Sequence, residues 1–60
     1  MEENLTYSID EIKRFGLNEK QILRDNAKVY MKDDKVYFFE EIDPDHMRLY
    51  TIINKKSFFL

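Results

Sequence analysis

The chain has 60 residues, enough for one domain, and a domain of this size buries only about 60% of the surface its unfolded form exposes. Cysteine is absent, and there is one glycine and one proline, which excludes a disulfide framework or thiolate zinc site and argues against low complexity. Ten basic and twelve acidic residues give a net charge of −2, so nothing global draws the chain toward phosphate backbones.

No apolar run approaches the roughly 20 residues that span a bilayer. The acidic start Met1-Glu2-Glu3 does not read as a signal peptide. The expectation is a soluble, cytoplasmic domain with no membrane partner.

Residues 1–6 read as an arm, with Leu5 and Tyr7 available to tuck against a core. Ser8-Ile9-Asp10-Glu11 is a capping-box pattern, in which the serine hydroxyl accepts from the Glu11 amide while Glu11 reaches back. Ile9, Ile12 and Phe15 then form one apolar stripe over two helical turns, and Gly16 supplies a left-handed stop. A second start follows at Asn18, with Ile22, Leu23 and Ala27 on the buried side. Lys20, Gln21, Arg24 and Lys28 share its opposite face. Residues 8–27 are thus expected to form a helical hairpin, fraying near Asp25-Asn26.

Beyond Ala27 the period changes. Residues 28–53 read as a three-stranded antiparallel meander, turning at Asp33-Asp34 and again at Asp43-Pro44-Asp45-His46. Placing Ile42 opposite Met47 sets Glu41 opposite Arg48, Phe39 opposite Tyr50 and Tyr37 opposite Ile52. The same register leaves Glu40 beside Leu49 on an aliphatic face, a mismatch that a bulge would repair. Residues 54–60 are a polar turn and an apolar tail. The expected fold is α+β: two short N-terminal helices packed on a three-stranded antiparallel β-meander.

The stretch YSIDEIKRFGLNEKQILR, followed by AKVYMKDDKVYFFEEID, resembles the MerR and excisionase-like winged-helix families over residues 7–43. That resemblance implies a second helix in the DNA major groove, with Lys20, Gln21, Arg24 and Lys28 as contact residues.

Other chemistry finds little support. His46 is the only histidine, and Ser8 and Ser57 have local roles in capping and turning. No nucleophile–base–orienter set can be named, so an enzyme is not expected. Glu40, Glu41, Asp43, Asp45 and His46 are acidic enough for a metal, but Glu40 and Glu41 point to opposite faces of a strand. They read as solvated charges, with no metal and no cofactor.

The remaining signal is that the meander is apolar on both faces. Tyr30, Tyr37, Phe39, Tyr50 and Ile52 fall on one side, and Val29, Met31, Val36, Phe38, Ile42, Met47, Leu49 and Ile53 on the other. A short chain has little to cover the second face. The leading expectation is therefore a small non-enzymatic binding or regulatory protein, of the size of a phage or bacterial accessory factor. It would contact another protein, or a second copy of itself, through Tyr30, Tyr37, Phe39, Tyr50 and Ile52, with Glu41 and Arg48 as a rim pair. A winged-helix DNA-binding regulator is the alternative.

Overall fold

A computed structural model describes residues 1–24 and 26–58, with the backbone path alone described for residues 20–24 and 58. The chain runs β1 (Thr6–Ser8), α1 (Ile9–Phe15), β2 (Asn18–Arg24), β3 (Ala27–Lys32), β4 (Lys35–Asp43), β5 (His46–Asn54) and α2 (Lys55–Phe58). Among the described residues, all five strands belong to one antiparallel sheet in the order β1-β5-β4-β3-β2, and the sheet is curled.

The expected first helix is present with both its signals. Ser8 Oγ accepts from the Glu11 N–H at 3.1 Å, and the Ser8 N–H donates to Glu11 Oε1 at 2.9 Å. Gly16 ends the helix at φ 89°, with its N–H returned to Ile12 and Lys13 carbonyls. A left-handed φ strains any residue with a Cβ.

The second helix is not present, which corrects the expected fold. Residues 18–24 are a strand, pairing with β3 from Asn18↔Met31 to Arg24↔Ala27. Two physical terms favour the strand. A helix of under a dozen residues is marginal on its own in water, and β3 would otherwise present an unpaired edge of N–H and C=O groups. As a strand, the segment satisfies that edge. A further strand not expected from the sequence joins the sheet at the end of the arm, where Thr6↔Arg48, Tyr7↔Met47 and Ser8↔His46 pair β1 with β5. The sheet therefore has five strands where three were expected. The expected burial of Ile22 and Leu23, the fray at Asp25 and the packing of the last apolar residues lie outside the described residues.

Two bulges in the β4–β5 pair decide which of its side chains go inside. Tyr37↔Ile52 and Phe38↔Thr51 follow the straight register, but Phe39 then pairs with Leu49, leaving Tyr50 extra on β5. Ile42 is likewise extra on β4, between Glu41↔Met47 and Asp43↔His46. A bulge inserts one residue and reverses the alternation beyond it. In a straight strand Leu49 and Ile52 would face opposite ways; across this bulge they share the inner face. Glu40 now pairs with Arg48 and is relieved of its apolar neighbour.

The inner face holds the core: Ile12, Leu17, Tyr30, Tyr37, Phe39, Met47 and Leu49, with Met1, Tyr7, Ile9 and Ile52 packed against it. Tyr30 meets Phe39 edge-on at 5.3 Å between ring centroids, and Phe15 meets Tyr37 at 6.3 Å. Such edge-to-face pairs add about 0.5–1.5 kcal/mol beyond area burial. Val29 and Val36, which point to the outer face by register, are also fully buried.

Candidate functional site

The β3–β4–β5 end of the sheet carries a cleft of about 430 Å³, lined by Asn26, Ala27, Lys28, Phe38, Phe39, Glu40 and Tyr50. That volume falls in the range of small-ligand and side-chain pockets. Its most prominent side chain is Tyr50, which is 63% exposed. The bulge explains the exposure, because the unpaired residue of a bulge is re-aimed away from the ladder. Phe38, half-buried, and Ala27 supply an apolar floor.

Glu40 and Arg48 form the polar border. Arg48 donates from Nε at 3.3 Å and from Nη2 at 3.1 Å to Glu40 Oε1, and from Nη1 at 3.2 Å to Asn4 Oδ1. One guanidinium therefore ties β4, β5 and the arm together. Both ionic partners are partly exposed, so the pair contributes about 1 kcal/mol or less to stability. Its planar fork fixes orientation more than it adds energy. Lys28 Nζ lies 4.0 Å from Glu19 Oε2 on the neighbouring strand.

The expected partner-binding residues are thereby split. Tyr30, Tyr37 and Phe39 are buried, at 9%, 8% and 2% exposure, and Ile52 packs against the same core. Burial, with the Glu19 charge nearby, pushes the Tyr30 phenol up in pKa; burial with Asp33 and Asp34 does the same at Tyr37. The arm and α1 cover this face within the single chain. Tyr50 alone of that group projects outward. Arg48 is placed beside it, but its partner is Glu40 and not Glu41, by the one-residue shift of the bulge. Sequence reasoning missed Glu40 and Asn4 as members of this border. The signal was the misplacement of Glu40 in the straight register.

The DNA-contact residues are also redistributed. Lys20, Gln21 and Arg24 sit on strand β2 rather than on a recognition helix, and their side chains lie outside the described residues. Lys28 is on β3, engaged with Glu19. The helix that would enter a major groove is not formed.

At the far turn, His46 Nδ1 lies 2.9 Å from Asp43 Oδ1, and the Asp45 N–H donates to the same oxygen at 2.8 Å. The Asp43 carboxylate raises the His46 pKa, helped by Asp45 and Glu11. The histidine in turn lowers that of Asp43. The Asp45 carbonyl accepts from the Ile9 N–H at 2.9 Å, joining this turn to the start of α1.

No protein-family model matches the chain, and no curated protein or solved structure matches it. No helix among the described residues is long and apolar enough to cross a membrane.

Proposed function

We propose that this chain is a small non-enzymatic binding protein that acts by protein–protein contact, with Tyr50 as its anchor and the Glu40–Arg48 pair as its rim. The single observation that carries this reading is the outward-aimed, 63% exposed tyrosine beside an apolar-floored cleft. Tyrosine is enriched at interface centres because its ring supplies contact area at low entropic cost while its hydroxyl tolerates water before binding. A bulge that breaks the ladder of a central hairpin to expose one aromatic ring is a local sacrifice of regularity, as binding positions often require. The titratable groups lining the cleft are Lys28, Glu40 and Tyr50. With Lys28 engaged by Glu19 and Glu40 by Arg48, they do not form a nucleophile with an adjacent base.

The test is a photo-crosslinking phenylalanine analogue at position 50, used in cells and compared with the same analogue at Asp10 on the exposed side of α1. A discrete adduct specific to position 50, weakened when Arg48→Glu is added, is the expected result. Equal adduct patterns from the two positions would remove Tyr50 as the anchor.

A further inference from the structure

The outer edge of β5 differs from an ordinary edge strand. Among the described residues, β1 pairs with β5 only as far as Arg48, after which Leu49 exchanges backbone bonds with Asn4 and Leu5 at 2.7 and 2.9 Å. Beyond that point the edge is met by a side chain. Glu3 Oε2 accepts from the Ile52 N–H at 2.8 Å and from the Thr51 hydroxyl at 2.9 Å. The bulge at Tyr50 turns the Ile52 amide away from β4, so the carboxylate sits where a neighbouring strand would place its carbonyl. These two donors hold the Glu3 carboxyl below its ordinary pKa.

The segment so guarded is Tyr50-Thr51-Ile52-Ile53, four consecutive uncharged residues of high β propensity without proline. Such a stretch is the type that adds to another strand when its edge is open. Having no charge, it offers nothing to repel an identical segment arriving antiparallel, and a two-fold pairing of like with like is the geometry of a self-complementary interface. A charged side chain set against the edge is the usual protection.

We infer that Glu3 is a gatekeeper for a latent dimer: its carboxylate occupies the β5 edge, and its removal opens residues 50–53 to antiparallel pairing with the same strand of a second copy. This inference goes beyond the Tyr50 contact proposed above, since it concerns the strand's backbone edge and a partner of identical sequence. Asn4, with its left-handed φ of 71°, is the joint that lets residues 1–3 turn back toward the edge.

The experiment is sedimentation equilibrium from micromolar to millimolar concentration on the full chain, Glu3→Ala and Glu3→Ala/Thr51→Lys. Circular dichroism is recorded on each. The wild-type chain is expected to remain monomeric, Glu3→Ala to associate at least about tenfold more tightly and shift toward twice the mass, and the added lysine to restore the monomer. A monomeric, folded Glu3→Ala would overturn the inference, as would dimers that survive Thr51→Lys. Hydrogen exchange in the wild-type chain supplies a readout independent of those variants. The Ile52 amide should be protected at neutral pH and lose protection as acid protonates Glu3; fast exchange at neutral pH contradicts the guarded edge. Tyr50→Ala leaves the Glu3 contact in place, so loss of the Tyr50 reading and loss of this one are separable.

Discussion

Gly16 and the Asp43–His46 pair show how much single positions carry in a chain with so little core. Lys32 reaches across to Gly16, donating from Nζ to the Phe15 carbonyl at 2.6 Å while standing 4.3 Å from the Phe15 ring centroid. A Cβ at Gly16 would meet the Lys32 side-chain end at 3.6 Å, an ordinary contact. The cost of Gly16→Ala is therefore backbone strain and not a clash. Thermal or urea unfolding should report a loss of about 1 kcal/mol, and no change would contradict the left-handed cap. At the turn, the signs differ for the two partners. His46 has a raised pKa, so its contribution is full below its unfolded value and disappears as pH rises through the folded one. Asp43 has a lowered pKa, so its contribution is present above its unfolded value and disappears as pH falls through the folded one. The turn is best held in the interval where both are charged. An NMR titration should place the His46 imidazole above the free-histidine value, and Asp43→Asn should bring it down; an unshifted imidazole would contradict the contact.

Elements were legible where the signal was local. Ser8, Glu11 and Gly16 name the first helix, and the Asp43-Pro44 turn and the β3–β4–β5 meander follow from turn chemistry and β-branched content. The second helix failed because Ile22, Leu23 and Ala27 fit two periods in so short a window. The contest was settled by the open edge of β3, a tertiary demand that no local pattern records. Strand β1 was missed for the same reason, as its three residues acquire strand character only from the β5 edge beside them. Tyr50 was named, but its direction was not legible, because a bulge inverts the alternation on which such assignments rest. The β3–β4 turn offers a test at this scale. Asp33 holds a φ of 57°, which glycine adopts without strain. Asp33→Gly should stabilise the hairpin by about 0.5–1 kcal/mol, raising Tm by a few degrees in a domain of this size. A lower Tm would mean that the aspartate side chain compensates its backbone.

At the scale of the molecule, the sheet solves the problem of a two-faced ribbon by curling. One face closes over Ile12, Leu17, Tyr30, Tyr37, Phe39, Met47 and Leu49, and the bulge collects the inward residues of β5 that a straight strand would divide. The inner aromatics are thus part of what stabilises the fold, while the Tyr50 ring stays exposed. Phe39→Ala, at a fully packed position, should cost about 3–5 kcal/mol, a large share of what a small domain has, and should abolish cooperative unfolding or nearly so. Tyr50→Ala, by contrast, should change stability by about 0.5 kcal/mol or less.

The most direct measurement is a set of cross-strand NOEs on the isotope-labelled chain. Contacts should link Glu19 with Tyr30 and Phe39 with Leu49, while Tyr50 lacks a partner on β4. Sequential amide–amide contacts running through residues 18–24, or a Phe39–Tyr50 pairing, would restore the helical hairpin and the straight register and contradict the outward placement of the tyrosine.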